Sequence, residues 1–454
     1  MEQVTKFFEY INLHIFWGVP MILLLLGVHI FLTILLKFPQ RKIFKAIRLS
    51  FKKDDSDGDV SQFGALATAL AATIGTGNIV GVATAISLGG PGAVLWCWLT
   101  GVFGIATKYS EGLLAVKYRY KTSDGKMLGG PMCALEKGLK MKWLGILFAF
   151  FTVIASFGIG CTVQANSIST MLYESFHFPL MITGIVLSIL TAAVIFFGVK
   201  GIAKICQMLV PFMAIFYILG CLIILIINST YVDDALVLIF KSAFNPSAAG
   251  GGFVGATIMM AARYGIARGL FSNESGMGSA PIIAAAAKTR NPVRQALVSS
   301  TGTFWDTVVV CAMTGIVLVT SIIAYPDIDY SNGSTLTSAA FAKLPYFGTP
   351  ILVVGLFTFA FSTILGWSYY GERALEYLGG KKTIPYYRIL WVIAVFVGSI
   401  INVTLIWQIS DTMNALMALP NLISLILLSG VIYKETKKYL WNGNLDESIK
   451  EFEQ

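Results

Sequence analysis

Long runs of apolar residues, separated by short polar segments, follow one another along almost the whole chain. The first run covers about residues 14–36, and ten more lie at about 65–89, 93–116, 143–171, 179–198, 205–228, 252–287, 295–324, 350–378, 387–407 and 411–433. A helix needs about 20 apolar residues to cross a bilayer. The pattern therefore predicts an all-α polytopic membrane protein with about 11 transmembrane helices.

Composition supports this interpretation and excludes several other classes of protein. Of the 454 residues, 56% are hydrophobic and 13% are charged, and the mean hydropathy is +0.74. A soluble domain carries about 25% charged residues, so a soluble enzyme with one core, a coiled coil and a disordered chain are excluded. The six cysteines lie singly and the three histidines form no metal-ligand spacing, so we do not expect an enzyme.

Basic residues are distributed unevenly between the two sides of the predicted bundle. Of the 33 Lys and Arg residues, 27 lie in one alternating set of loops, which includes 37–53, 117–142 and 373–388. The opposite set holds only Lys6, Lys241 and Lys343. Because cytoplasmic loops collect positive charge, we expect the amino terminus outside and the carboxyl terminus in the cytoplasm. The net charge of +9 then requires no nucleic-acid partner.

Two of the apolar runs are interrupted near their middle. The first, 65–89, contains AATIGTGNIVG with Gly75 and Gly77, and the second, 252–287, contains FSNESGMGSAP with Gly276 and Gly278. Small residues can also serve close helix packing, which is the alternative for a single glycine. Here each break also carries polar side chains and begins a set of five spans. Inverted five-helix repeats with a broken first helix indicate a transport site near the bilayer midplane.

The repeats divide the chain into five parts. These are an N-terminal helix with a cytoplasmic basic loop (1–64), a first five-helix repeat (65–228), an extracellular connector (229–251), a second five-helix repeat (252–433) and a cytoplasmic tail (434–454). Residues 231–245 alternate between polar and apolar positions, and 335–344 have the pattern of a short amphipathic helix. We expect both segments to lie outside.

The backbone at the breaks offers groups of both signs. Free amides around Thr76, Gly77 and Asn78 suit a carboxylate, and carbonyl oxygens before the break, at Ala71 and Ile74, suit a cation or an ammonium group. A zwitterionic amino acid matches both.

Six stretches of sequence resemble a known family: ALATALAATIGTGNIVGVATAISLGGPGAVLWCW, ATKYSEGLLAVKYR, GGPMCALEKGL, RGLFSNESGMGSAPIIAAAAKT, RQALVSSTGTFWDT and STILGWSYYGE. They are similar to the alanine or glycine:cation symporter family, over nearly the whole chain. The resemblance implies a leucine-transporter-type fold with 5+5 inverted repeats and one additional N-terminal helix. It also implies sodium-coupled uptake of small neutral amino acids, alanine and glycine, across a prokaryotic plasma membrane.

The resemblance also implies roles for individual residues. The substrate carboxylate would be held by Thr76, Gly77 and Asn78, its amine by Asn273, Gly276 and the carbonyl of Phe271, and the pocket would be completed by Gln164, Thr363 and Trp367. A co-transported sodium ion would be bound by the carbonyls of Ala71, Ile74 and Phe359 and the hydroxyls of Ser362 and Thr363. Such hydroxyls also often bond back to their own helix, which is the alternative. Bulky Trp367 predicts a substrate with a hydrogen or methyl side chain.

Charged residues inside apolar runs need a partner or water. Glu274 lies within the second break and Asp306 lies about a dozen residues into its run, so both are candidates for gating or ion coupling. Arg263 and Arg268 precede the second break, and we expect them to form part of an inner gate.

Three other carboxylates have simpler interpretations. We expect Glu111 and Glu372 to form interfacial pairs with Lys108 and Arg373, and Asp411 to cap the start of a helix.

The predicted function is secondary active symport. Sodium and a small amino acid bind between the broken helices, and one helix bundle then rocks against the rest. The main alternative is proton-coupled symport on the same scaffold, with Glu274 or Asp306 as the proton carrier. An ion channel is disfavoured because the two breaks differ, and an enzyme because no nucleophile and base form a set. We expect the protein to function as a monomer in the lipid bilayer.

Overall fold

The computed structural model describes residues 2–245 and 257–448, nearly all of them helical. The helices are α1 (Glu2–Ile11), α2 (Val19–Leu35), α3 (Ile43–Ser50), α4 (Gln62–Thr73), α5 (Val82–Gly89), α6 (Ala93–Lys117), α7 (Lys142–Phe176), α8 (Leu180–Ile195), α9 (Gly198–Ile227), α10 (Val232–Phe244), α11 (Ile258–Asn273), α12 (Pro281–Ala284), α13 (Pro292–Ala324), α14 (Gly333–Ala342), α15 (Gly348–Gly379), α16 (Ile384–Ile400), α17 (Thr404–Leu427) and α18 (Ser429–Thr436). Two short strands, β1 (Tyr120–Lys121) and β2 (Met127–Leu128), pair antiparallel. Parts of the predicted connector, second repeat and tail lie outside the described residues.

Short segments of other helical geometry complete the chain. There are 3₁₀ turns at Pro39–Lys42, Ser229–Tyr231 and Lys381–Thr383, a short α-helix at Pro131–Cys133, and π-helical turns at Asn12–Phe16, Gly77–Gly81, Ala134–Gly138 and Lys437–Trp441. Two longer helices also contain π-helical stretches, α7 at Ser156–Thr162 and α13 at Phe304–Cys311. Such stretches occur often at functional sites.

Several of the described helices match predicted spans. Six are long and apolar enough to cross a bilayer: α7, α9, α13, α15, α16 with the turn before it, and α17. Two bent pairs pass the same test together, α1 with α2 at 43° and α4 with α5 at 54°. The remaining runs correspond to α6, α8 and the pair α11 and α12, which are more charged, shorter or interrupted. The predicted all-α membrane class is confirmed.

The outer surface of this bundle is strongly apolar. Leu23 on α2, Ile189 on α8 and Ile226 on α9 have 62%, 63% and 70% of their surface exposed. Soluble proteins rarely expose large apolar patches, so this surface suits contact with lipid.

Polar side chains fix where several helices begin. Ser61 accepts a hydrogen bond from the amide of Gly64 at 3.0 Å and so caps α4, and Asn291 caps α13 through the amide of Arg294 at 2.9 Å. Asn402 accepts from the amide of Thr404 at 2.9 Å, so α17 begins there and not at 411. Asp411 therefore lies two turns inside the helix, and its predicted role as an N-cap is wrong.

The loops predicted to be cytoplasmic meet at one end of the molecule, here called the basic end. Lys381 pairs with Asp124 at 2.7 Å, and Glu372 pairs with Arg373 at 2.7 Å and with Arg388 at 2.6 Å. The expected pair of Glu372 with Arg373 is confirmed.

The opposite end, here called the amino-terminal end, carries α1, α10 and α14. Asn12 donates to the side chain of Gln408 at 2.9 Å, and Ser87 donates to the carbonyl of Ser331 at 2.6 Å. The amphipathic helix predicted at 335–344 is present as α14. Residues 231–244 form a 3₁₀ turn followed by α10.

Candidate functional site

The first break separates α4 from the π-helical turn before α5. Ile74 leaves the helical conformation at φ −76° and ψ 96°. The amide of Gly75 donates to the side-chain oxygen of Asn78 at 2.9 Å, and the amide of Asn78 donates back to the carbonyl of Gly75 at 3.2 Å. Asn78 thus holds the interrupted backbone from within the break itself.

A buried carboxylate joins this break to the second one. Asp306, in the π-helical stretch of α13, accepts from the side-chain Nδ2 of Asn78 at 2.7 Å, from the hydroxyl of Ser272 at 3.1 Å and from that of Thr307 at 2.6 Å. An ionised carboxylate only accepts hydrogen bonds, so these three donors suit the charged form. Asp306 therefore has partners in both broken helices, and no ion pair links it to Arg263 or Arg268 in the described chain.

Side chains from two other spans close around the first break. Gln164 on α7 donates to the hydroxyl of Thr76 at 3.4 Å. A Cβ at Gly75 would lie 2.7 Å from Oγ1 of Thr363 and 3.6 Å from Oε1 of Gln164, so glycine is required for this close approach. A Cβ at Gly77 would lie 3.5 Å from the ring of Phe271. The predicted residues Thr76, Gly77, Gln164, Phe271 and Thr363 are therefore neighbours.

Trp367 connects α15 to the second break. Its indole nitrogen donates to Oε1 of Glu274 at 3.1 Å, and Ser279 donates to the other carboxylate oxygen. The Trp367 side chain packs so closely against Gly160 of α7 that a Cβ there would overlap it. Trp367 and Glu274 are both buried. The residue predicted to form a wall of the substrate pocket, Trp367, and the candidate coupling residue, Glu274, therefore form one hydrogen-bonded unit.

The second break is held by protein groups that the sequence analysis missed. Oε1 of Glu111 on α6 accepts from the amides of Gly276 and Gly278, both at 3.0 Å, and from the side chain of Asn421 at 2.7 Å. Asn421 also donates to the carbonyl of Gly276 at 2.8 Å. The only sequence signals were a carboxylate and an amide inside apolar runs. The expected interfacial pair of Glu111 with Lys108 is wrong, because Glu111 instead binds the broken backbone.

Two residues predicted to face the substrate amine lie elsewhere. A Cβ at Gly276 would meet Leu25 and Leu422, and the amide and carbonyl of Gly276 bond to Glu111 and Asn421, so its role at the substrate amine stays a prediction. Asn273 donates to Thr100 of α6 at 3.4 Å and accepts from the amide of Ser275 at 2.9 Å. Neither residue has a described contact with the first break.

The five predicted sodium-binding oxygens converge between α4 and α15. The Ser362 hydroxyl lies 3.1 Å from the carbonyl oxygen of Ala71 and 2.8 Å from that of Phe359. The Thr363 hydroxyl lies 3.2, 3.4 and 3.0 Å from the carbonyl oxygens of Ala71, Ile74 and Phe359. Both hydroxyls bond back to α15, as the alternative supposed, but they also cross to the end of α4. Carbonyls of broken helices with nearby hydroxyls are the ligands that transporters use for sodium.

Arg263 and Arg268 lie toward the amino-terminal end. Arg263 donates to the carbonyl of Leu13 at 2.5 Å. Arg268 and Asp411 line two cavities of about 240 and 620 Å³, and the smaller one extends to Phe271 at the second break. In the predicted topology this end is outside, so the predicted topology and the predicted inner gate disagree for these two arginines.

Backbone pairing closes the basic end instead. Residues just before α4 and just after α12 form a parallel bridge between Val60 and Ala287. The amides of Asp59 and Val60 donate to the carbonyl of Ala286 at 2.8 and 3.2 Å, and the amide of Lys288 donates to Val60 at 2.8 Å. The basic-end halves of the two broken helices are therefore tied together.

Arg119 reinforces this bridge from the loop after α6. Its guanidinium donates to the carbonyls of Ala285 and Ala287 at 2.9 and 2.6 Å and to that of Asp57 at 2.9 Å. Burial lowers the pKa of Arg119 to about 10, while Asp57 and Asp59 oppose the shift. The guanidinium thus stays charged at neutral pH and clamps both sides of the bridge.

Comparison with known proteins agrees with this geometry. A profile of the sodium:alanine symporter family matches residues 1–454. The chain belongs to the sodium:alanine symporter family. It is accordingly a multi-pass membrane transporter and not an enzyme, as the sequence predicted.

Individual relatives and a solved structure support the assignment to this family. The sodium/alanine symporter AgcS of Methanococcus maripaludis is 53% identical over 93% of this chain and 94% of its own. A putative sodium/proton-dependent alanine carrier, YrbD of Bacillus subtilis, is 38% identical over 94% of this chain and 90% of its own. The crystal structure of MhsT in complex with L-phenylalanine matches 82% of this chain and 90% of that chain, with a TM-score of 0.60 and 15% identity. The last match supports the leucine-transporter-type fold.

Proposed function

We propose that this protein is a secondary active symporter that couples inward sodium movement to the uptake of small neutral amino acids such as alanine and glycine. The cluster of three carbonyls and two hydroxyls between α4 and α15 carries this proposal. All five oxygens belong to buried, uncharged groups. Such a set can coordinate a monovalent cation although it contains no carboxylate. The relative AgcS bears the name of a sodium/alanine symporter.

The substrate is proposed to bind at the first break, beside the sodium ion. Gly75 and Thr76 follow the last sodium-binding carbonyl, that of Ile74, and contact Gln164 and Thr363. Broken-helix amides suit the carboxylate of an amino acid. Trp367, which is buried and packs against Gly160, is proposed to restrict the substrate to a small side chain.

We infer that the structure corresponds to an outward-directed conformation, with the amino terminus outside and the carboxyl terminus in the cytoplasm. The smaller of the two cavities around Arg268 extends from the amino-terminal end to Phe271. The bridge between Val60 and Ala287 closes the other end. Release of substrate to the cytoplasm then requires this bridge to part.

One sodium ion per cycle is sufficient for useful accumulation. A single positive charge that moves inward through 100 mV releases about 2.3 kcal/mol, which corresponds to roughly 50-fold accumulation of a zwitterion. We propose a monomer in the plasma membrane of a prokaryote, organised in the two five-helix repeats defined above.

The deciding experiment measures uptake of labelled alanine into proteoliposomes at fixed pH and fixed membrane potential. We expect uptake to rise with external sodium and to fall to background when potassium replaces sodium. Uptake that is unaffected by this replacement contradicts the proposal.

Proton coupling is the second candidate, because Asp306 and Glu274 are buried carboxylates that touch both broken helices and the Trp367 wall. If protons drive transport, a pH gradient without sodium supports uptake, and Asp306→Asn or Glu274→Gln abolishes that component. If sodium drives transport, a pH gradient alone supports none.

A further inference from the structure

A buried lysine lies between the central site and the basic end without a direct partner. Lys108 on α6 has 3% of its surface exposed, and its ammonium nitrogen has no hydrogen-bond partner among the described residues. Glu111, Glu274 and Asp306 attract it only at longer range. Each of those carboxylates accepts its hydrogen bonds from other donors, as described above. A buried charge without a direct partner is costly to retain.

Lys108 lines a small cavity between the basic-end halves of the two broken helices. Ten residues line this cavity: Ala65, Ala69, Thr73, Lys108, Gly112, Ala280, Pro281, Ala284, Ser299 and Gly302. Six of the ten are alanine or glycine. The volume is about 10 Å³, enough for a single water molecule. Because α4 and α12 form two of its walls, the cavity widens when these helices part.

From this position we propose that Lys108 is a second binding station for the carboxylate of the substrate, used during its passage from the first break to the basic end. The inference rests on the proposed function. A carboxylate that leaves the first break for the basic end loses its hydrogen-bond donors, and the cavity beside Lys108 is lined mainly by small apolar residues. An ammonium group there supplies a charge-assisted hydrogen bond. The substrate in turn supplies the partner that Lys108 lacks.

The test compares the two faces of the membrane. The KM for alanine is measured in right-side-out and in inside-out vesicles for the wild type, Lys108→Met and Lys108→Arg. We expect Lys108→Met to raise the KM at the basic face by about tenfold, which corresponds to about 1.4 kcal/mol. The KM at the opposite face and the half-saturating sodium concentration should not change. Lys108→Arg should restore most of the loss.

Several results would overturn the proposal. Equal KM changes at both faces, or a changed sodium dependence alone, would mean that Lys108 only balances the neighbouring carboxylates. If Lys108→Met does not fold, Gly302→Ala adds one methyl group at the cavity with no neighbour closer than 3.9 Å and retains the lysine, and it should raise the KM at the basic face alone. An unchanged KM in that variant would also refute the station. Sodium-dependent uptake by the wild type in the same vesicles tests the proposed function separately.

Discussion

Thr363 provides the most direct test of the sodium site. Its hydroxyl reaches the carbonyl oxygens of Ala71 and Ile74 on the first broken helix as well as that of Phe359 on its own helix. Thr363→Val preserves the size and branching of the side chain but removes one of the five oxygens. We therefore expect a variant that folds and transports but needs more sodium.

The size of this effect follows from the contacts. A hydrogen-bonding group contributes about 1.5–3 kcal/mol when its partner is charged, and about 0.5–1.5 kcal/mol when both are neutral. Loss of one ligand to a sodium ion should then raise the half-saturating sodium concentration by roughly 10- to 150-fold. Without sodium the variant loses only neutral hydrogen bonds, so its stability should change little.

The assay is alanine uptake into proteoliposomes across a range of sodium concentrations at fixed pH. Thr358→Val is the matched control, because Thr358 lies on the same helix and its hydroxyl donates only to Val354 and Gly355, at 2.7 and 3.0 Å. We expect the control to keep the sodium dependence of the wild type. Equal half-saturating concentrations in all three proteins, or the same shift in both variants, would refute the assigned site.

Three further changes test other parts of the structure. Trp367→Ala should admit larger amino acids, so leucine should compete with labelled alanine; an active variant that still excludes leucine contradicts the assigned wall. Arg119→Ala should loosen the bridge at the basic end and speed thiol labelling of an Ala284→Cys reporter. Replacing the neighbouring exposed cation, Lys121→Ala, should leave the labelling rate unchanged, and equal rates in the two variants argue against the role of Arg119 in holding the bridge. Glu111→Ala should lower the melting temperature in detergent, because three donors lose their acceptor at about 1–3 kcal/mol each, and Glu111→Gln should lose less; an unchanged melting temperature contradicts this role.

The five oxygens of the proposed sodium site lie together as the sequence predicted, because their position depends on local features. A break in α4 exposes the carbonyls of Ala71 and Ile74 wherever the helix packs. The hydroxyls of neighbouring residues on α15 reach these carbonyls once α15 packs against α4. Ser362 and Thr363 form that contact.

The sequence predicts the second break, but it does not predict the residues that hydrogen-bond to it. The sequence shows that the amides of Gly276 and Gly278 are released from a helix, yet it does not show which way they point. Their acceptor, Glu111, lies more than 160 residues earlier on α6. A contact over that separation depends on how three helices pack, so no local pattern predicts it.

The inner gate predicted for the arginines disagrees with the predicted topology for a different reason. Arg263 and Arg268 were interpreted from their nearness to the break, although α11 is the first half of a run that enters from the amino-terminal end. The closure of the opposite end depends on backbone groups around Val60 and Ala287 and on Arg119. Backbone hydrogen bonds between remote segments do not require particular side chains, so the sequence does not predict them.

The two breaks therefore differ in what completes them, and this difference bears on coupling. The backbone groups of the second break are hydrogen-bonded to Glu111 and Asn421, which belong to the protein, so we expect its conformation to stay the same when the ion or substrate leaves. The first presents its carbonyls to the sodium site and is continuous through α4 with the bridge at Val60. A sodium ion at the proposed site between α4 and α15 would thus hold the same helix that the bridge holds at its other end. We expect loss of the ion to loosen α4 and favour opening of the basic end, which makes α4 the element through which ion release and substrate release are coupled.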